Sequence, residues 1–323
     1  GLIEGSNGSG IEFDGLVFLS DVEVVANEDV IGGEYGIEFD SDVVASSVRI
    51  ARNDRVRGKD VSGISFRGDV DDSDVIISEN DIHSDAGDGL AFRSSIGGDS
   101  IVSVIENAIV ASENGIVTES IRDDAKLSLI DNVIEITDDG VGIMLRNIDS
   151  SEPVLVRGGS TNGGSIGLAV IQEFDNVDGK VIVDGLVVNQ ASEIGLLFQT
   201  LPGGLQCADE FDVLPGSKSL EVMLMNAVTV NGGSDPSEIG MVFDGLGLSL
   251  TGDTLADTRF AGTPGKFIVL RNGALFEPGR PTLIDGTGVY WDGLDANIPV
   301  ERQQIINRII DFLDDPTLGL IFP

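Results

Sequence analysis

The residues with the greatest capacity for chemistry in this chain of 323 are its carboxylates. Asp and Glu number 55 against 19 Lys and Arg, with one histidine, His83, and one cysteine, Cys207. Two carboxylates at a suitable separation suffice for acid and base work on a glycosidic bond. Asp123-Asp124, Asp138-Asp139 and Asp85 with Asp88 have the right types, yet so acidic a chain produces such pairs by abundance, and they read as solvated turns. In Asp69-Val70-Asp71-Asp72-Ser73-Asp74 the oxygen-bearing residues alternate as in a calcium turn. Asp69, Asp71 and Ser73 are therefore the candidate calcium ligands and calcium is the one cofactor suggested, although the remaining ligands of an EF-hand loop are missing. No His and Cys cluster exists for zinc or haem. His83 follows the apolar Ile82 and takes an outward, solvent-facing slot, and Cys207 has no partner for an internal disulfide.

The formal charge of -36 repels nucleic acid and anionic membrane, so neither is an expected partner. No apolar run is long enough to cross a bilayer. The charge favours cations and a saline setting in which self-repulsion is screened. Against this field, Arg49, Arg52, Arg55, Arg57, Lys59 and Arg67 fall within 19 residues. A basic spot of this kind would receive an acidic partner, either a second copy of the chain or an anionic glycan. Surface salt bridges to Asp54, Asp60 and Asp69 are the plainer alternative.

What must position these groups is a repeat. Gly, an aliphatic residue, any residue and then usually Phe recur as Gly10-Ile11-Glu12-Phe13, Gly36-Ile37-Glu38-Phe39, Gly63-Ile64-Ser65-Phe66 and Gly89-Leu90-Ala91-Phe92. The series continues from Gly115, Gly142, Gly167, Gly195 and Gly240, in steps of 26, 27, 26, 26, 27, 25, 28 and 45 residues. A fixed period means a stacked solenoid, in which each repeat buries its apolar face only against its neighbours. A second ladder keeps the same period at Asn27, Asn53, Asn80, Asn107 and Asn132, with Gly158-Gly159, Gly185, Asn226 and Asn272 following. Exchange of Asn with Gly at one slot predicts that the asparagines take a left-handed bend. Around it the pattern has period two, as in Val48 and Ile50 or Val75 and Ile77, which predicts about three short strands per coil.

On these residues the chain resembles the right-handed parallel β-helix proteins of the pectate-lyase-like superfamily over residues 1 to about 290. The resemblance implies an all-β solenoid of about 26 residues per coil. For function it is broad, because that superfamily holds lyases, hydrolases, adhesins, tailspikes and structural surface proteins. The enzymatic motifs Arg-x-Pro-x-x-Arg, Gly-His-Gly, Asn-Thr-Asp and Asp-Pro-His-Asp are missing here.

The expected β-helix spans 1–293 with an insertion at 200–219, and 294–323 is expected to be a cap or docking segment. There Ile305, Ile306, Ile309, Ile310 and Leu313 recur at helical spacing between Pro299 and Asp315-Pro316. Tyr290-Trp291 is expected to close the last coil. Outward slots after the early repeats fill with apolar residues, among them Met144, Ile171 and Leu197, an exposed stripe that calls for a cover from the insertion, the C-terminal segment or another subunit. At the other end Ile11 and Phe13 belong to a coil with nothing before it, and are expected at a contact with a neighbouring copy or domain. Together these features point to an extracellular or cell-surface structural or adhesive β-helix, not an enzyme, that self-assembles into filaments or larger assemblies. The alternatives are a carbohydrate-active lyase or hydrolase, for which carboxylates should converge with an Arg near Arg67, Arg93, Glu119 and Arg146, and a glycan-binding fibre module.

Overall fold

The computed structural model describes residues 1–173, 178–200, 219–232, 238–245, 247–251, 255, 258–262, 265–272, 276–277, 280–281, 283–286, 289–291, 293–294, 296–310 and 320–322. They form an all-β parallel solenoid in which successive coils add one strand to each of three long sheets. The first sheet has eleven strands, from Leu2–Glu4 to Tyr290–Trp291. The second follows a path of eleven, from Ile11–Phe13 to Ile309–Ile310, with four short strands beside it, and the third has nine, from Asp21–Val25 to Leu248–Leu250. On the second sheet Ile11, Ile37, Ile64, Leu90, Ile116 and Ile143 are successive register partners, so one repeat of the tetrapeptide is one coil.

Each part of the tetrapeptide has a physical reason. A Cβ on Gly89 would stand 2.2 Å from the Ile109 side chain and 2.7 Å from the Gly115 carbonyl oxygen, so the corner between the first and second sheets closes only around glycine. From the second coil on, the aliphatic residue and the Phe point inward and are buried. Phe13, Phe39, Phe66 and Phe92 form a stack with ring centroids 4.5, 4.5 and 4.9 Å apart, which is the coil spacing itself. Each stacked pair contributes about 1 kcal/mol beyond its burial.

The Asn ladder is continuous. Asn27, Asn53, Asn80 and Asn107 each donate through Nδ2 to Oδ1 of the next asparagine, at 2.8, 2.8, 3.0 and 3.0 Å. Each also donates its backbone N–H to that oxygen. The bend is not made by these asparagines, contrary to the sequence expectation. The residue before each one is left-handed: Ala26, Arg52, Glu79, Glu106 and Asp131, with φ between 52 and 55°. Those residues are exposed; they turn the chain one position early and leave the asparagine free to point into the rod. Gly185 and Asn226 align with Gly158 at the bending slot, so Asn226 is no ladder member, and Asn272 bends a different corner after Lys266–Arg271. A serine ladder that the sequence reading missed stacks Ser46, Ser73 and Ser100, whose hydroxyls accept the N–H of Ser20, Ser46 and Ser73 at 3.1, 3.0 and 3.1 Å.

At the far end the helix is shorter than its spacing predicts. It spans Pro299–Ile306 and buries Ile305. Ile309 and Ile310 form a strand that pairs with Ile268 and Val269, so the second sheet continues beyond residue 293. Pairing with an open sheet edge satisfies their backbone groups and outweighs the helical periodicity. Trp291 is buried against Phe260 and Phe267 in the last pairing of the first sheet. Leu313, Asp315-Pro316 and residues 201–218 of the insertion, with Cys207, lie outside the described residues.

Candidate functional site

Three columns of side chains stand on the outer face of the second sheet. They come from the residue before each tetrapeptide glycine, the third residue of the tetrapeptide, and the residue after it. Toward the first coils the columns are polar. Tyr35, Ser62 and Asp88 are register partners in the first column, and Glu38, Ser65 and Ala91 in the second. Arg67 and Arg93 belong to the third.

Here arginine and carboxylate meet, as the enzyme alternative requires. The Arg67 guanidinium lies 3.3 Å from Glu38 Oε1 and also pairs with Asp40. Arg93 pairs with Asp88, whose other oxygen accepts the backbone N–H and Nδ2–H of Asn114 at 3.1 and 2.7 Å. Farther along, Arg146 reaches Glu119 at 3.5 Å and Glu173 at 3.7 Å. Burial is uneven across these pairs. Asp88 is fully buried and Glu38 is 5% exposed, while Arg67 and Arg93 keep one side in solvent. The Tyr35 hydroxyl is held above the ordinary tyrosine range, first by burial and then by the Glu38 charge, against the pull of Arg67. The hydroxyls of Ser62 and Ser65 are buried and have no hydrogen-bond partner among the described residues.

A general acid or base must reach its substrate. Glu38 and Asp88 are buried and each is held by a guanidinium, while Glu119 and Glu173, which share Arg146, stay partly exposed. Toward the later coils the same columns are apolar. Val141, Ala169, Leu197, Val242 and Val269 form a buried cluster of their own, with Met144, Ile166, Ile171, Ile194 and Ile239 partly buried against it. Of the stripe for which a cover was expected, Leu197 is buried and Met144 and Ile171 are half-buried; residues 201–218 and 311–319, two of the candidate covers, lie outside the described residues.

The other sequence candidates scatter. Asp69 accepts bonds from the hydroxyls of Ser94 and Ser95 and the N–H of Ser95, and lies 3.3 Å from Arg122. Burial acts to raise its pKa, but these bonds and Arg122 together bring it below the usual carboxylate value. Asp71 is shifted the other way, by burial and then by Asp72. Ser73 turns into the serine ladder and donates to the Asp71 carbonyl at 2.8 Å. The three do not assemble as a ligand set, and no group of three or more His, Cys, Asp or Glu among the described residues is arranged to hold a metal.

The six basic residues do not form one patch, because 19 residues wrap most of a 26-residue coil. Arg49 is on the third sheet and Arg52 at the following corner, Arg57 is on the first sheet, and Arg67 is past the second-sheet strand Ser62–Phe66. Arg55 pairs with Asp29, and Arg57 with Asp85, both at 2.5 Å. These acids come from neighbouring coils and not from nearby sequence. Lys59 is half-buried. His83 lies 2.8 Å from Asp81. Asp85 and Asp88, close in sequence, are drawn to different arginines.

Tyr35, Ser62 and Asp88 were missed as parts of one site. The signal was available in the residue preceding each repeated glycine, which forms a column of its own.

Comparison with family models, with curated proteins and with solved structures returned no match. The parallel β-solenoid is therefore established by the structure itself, and function has to be argued from sites. Among the described residues no helix is long and apolar enough to cross a membrane.

Proposed function

We propose that this chain is a structural or adhesive rod of an extracellular or cell-surface assembly, without catalytic activity, and that the coil of residues 1–28 meets a neighbouring copy or domain. The observation that carries this is the state of that coil. Leu2–Glu4, Ile11–Phe13 and Asp21–Val25 are each paired on one side only. Leu2, Leu16, Phe18 and Leu19 are between 51% and 70% exposed, and Ile11 and Phe13 are half-buried. Unpaired strand edges beside exposed apolar side chains are a template for another β-structure. The ladders behind them make a stiff support, and the tied carboxylates of the outer face argue against a cleavage site. The surface and adhesive members of the pectate-lyase-like superfamily, which the repeat resembles, are the nearest functional analogy.

The test is negative-stain microscopy with light scattering in about 1 M salt, where charge repulsion is short-ranged. The native chain should form particles larger than one rod, and the double variant Ile11→Asp, Phe13→Asp should not. Equal particle size for the two would count against end-on assembly.

A second reading, a glycan-binding or carbohydrate-active module, is favoured by Tyr35, Arg67, Arg93 and the unpartnered hydroxyls of Ser62 and Ser65. Retention on a glycan array that is lost in Arg67→Ala would move that reading to first place.

A further inference from the structure

We propose that two copies of the chain pair side by side through the outer face of the third sheet, with their rods antiparallel. This contact is separate from the one proposed for residues 1–28, and neither depends on the other.

The face carries an apolar strip. In its middle outward column Ile76, Ser103, Ser128, Leu155, Ile182 and Met223 are successive register partners. Ile101 stands in the column on one side, and Ile105, Ile130 and Met225 in the column on the other. Ile76, Ile101 and Met225 are 42%, 47% and 37% exposed, and Leu155, Ile182 and Met223 are half-buried. Parallel sheets are as a rule covered on both faces, and an exposed apolar strip marks a contact.

The charges of the face identify its cover. The seven strands from Ser47–Ala51 to Ser219–Met225 carry four basic side chains and four acidic ones, in a chain with 19 against 55. Three of the four basic groups are tied down, Lys126 to Glu152 at 3.3 Å, Arg157 to Asp184 at 3.0 Å and Lys180 to Glu221 at 3.1 Å. A basic partner would seek the acidic corners of the rod. A strip cleared of net charge is where a body of the same sign can approach, and a second copy is such a body.

The order of the remaining charges sets the direction. Arg49 and Asp74, on two early strands of the face, have no ion-pair partner among the described residues, and Lys180 and Glu221 stand on two late ones. A two-fold axis along the middle strand Lys126–Ile130 lays Ile76 on Ile182, brings Asp74 to Lys180 and sets Arg49 beside Glu221. Each Lys126 meets its copy near the axis with Glu152 beside it. Parallel rods would instead set Arg49 against Arg49. Strands about 4.8 Å apart and residues about 3.3 Å apart give a face close to 600 Å² per copy. The total, about 1,100 Å², just clears what a specific contact needs, so the pair is weak, with a Kd on the order of 10 µM. It is apart at the sub-micromolar concentrations at which microscopy compares particle size.

Sedimentation velocity from about 1 to about 300 µM protein in about 0.5 M sodium chloride tests this. The native chain is run beside the chain carrying Ile11→Asp and Phe13→Asp, which lacks the contact proposed for residues 1–28 and serves as the background for the variants. That chain should pass from the mass of one chain to that of two. Adding Ile76→Glu and Ile101→Glu, both at exposed positions, should weaken pairing about a hundredfold, whereas Val133→Glu, at an exposed position of the first sheet, should leave it unchanged. Asp74→Lys and Lys180→Asp should each weaken it about tenfold, and the two together should restore most of it, because the ion pair forms again with its signs exchanged. One-chain mass throughout in both the native chain and the background would overturn the pairing. Pairing indifferent to Ile76→Glu and Ile101→Glu would overturn this face. Loss in each charge variant without recovery in the double would overturn the antiparallel arrangement. Growth beyond two chains in the background would overturn the two-fold.

Discussion

The two halves of the rod fill the same slots in opposite ways. In the early coils the interior carries amide bonds, in the ladder from Asn27 to Asn132, and the outer face of the second sheet carries buried charge, in Asp88 with Arg93 and Glu38 with Arg67. In the later coils that slot passes to Gly159 and Leu186, amide bonding moves to half-buried positions of the first sheet, where Asn231 donates to Asn189 and Asn189 to Asn162, and the outer face of the second sheet becomes the apolar cluster around Ala169 and Val242. Identical backbone geometry therefore does not dictate which kind of interaction closes a face. Polar closure requires every group to find its partner; apolar closure needs only exclusion of water. The first gives a surface with defined hydrogen-bond directions, the second a surface defined by shape alone.

The sharpest way to break this contrast is to place the same group in both halves. Ala169 and Ala91 occupy the same column and are both fully buried. Ala169→Asp puts a carboxylate among Val141, Leu197 and Val242, where the nearby Arg146 is already drawn to Glu119 and Glu173, and should cost about 4 kcal/mol. Ala91→Asp enters the half that holds Arg67 and Arg93 and should cost about half as much or less. Urea unfolding of the two variants measures the difference, and equal losses would mean that the halves do not differ as environments.

A smaller effect is expected from removing one partner in the charged half. Arg93→Met leaves Asp88 buried with only the Asn114 donors and should destabilise by about 2 kcal/mol, less than for a fully buried pair because Arg93 is partly exposed. Adding Asp88→Asn should recover part of that loss. If the double variant is no more stable than the single one, the pair is not the unit that closes the face.

The smallest effects concern neighbours that the charged end drives apart. Asp69 has a folded-state pKa below its ordinary value. Its contribution is present above the unfolded pKa and is lost as pH falls through the folded one, so Asp69→Asn should lower Tm at pH 7 and have less effect in acid. Asp71 is raised, so its ionised form is disfavoured in the fold at neutral pH. Asp71→Asn should raise Tm slightly at pH 7, with the gain shrinking as pH falls and Asp71 becomes protonated. Thermal unfolding at the two pH values checks both signs.

The glycine-led tetrapeptide made the second sheet legible in advance, since only glycine fits the corner where Gly89 meets Ile109. The asparagines were legible as a ladder but not as side chains relieved of the bend, because φ is set one residue earlier, at positions as varied as Ala26, Arg52 and Glu79. Ile309 and Ile310 fit a helical period as well as a strand, and an open sheet edge decided between them. The site was harder to see. Its pairs join residues 26 to 29 apart or straddle a corner, as Arg67 with Glu38 and Arg57 with Asp85 do, so proximity in sequence misassigned the partners. The serine ladder was overlooked because Ser46, Ser73 and Ser100 stand among many other serines, and only the N–H to hydroxyl bonds distinguish them.

The asparagine ladder also has a direction. Every rung donates toward the coil that follows it in sequence, from Asn27 to Asn53, Asn53 to Asn80 and onward. A chain synthesised from its N-terminus therefore completes each amide only when about one more coil has emerged. Until then one Nδ2–H and the backbone N–H of the newest asparagine wait for their acceptor, the other Nδ2–H being tied back to the preceding coil as Asn53 is to the Val24 carbonyl, and the arrival of the next asparagine captures them. Growth of the rod is in this sense a ratchet, in which each translated coil commits the one before it.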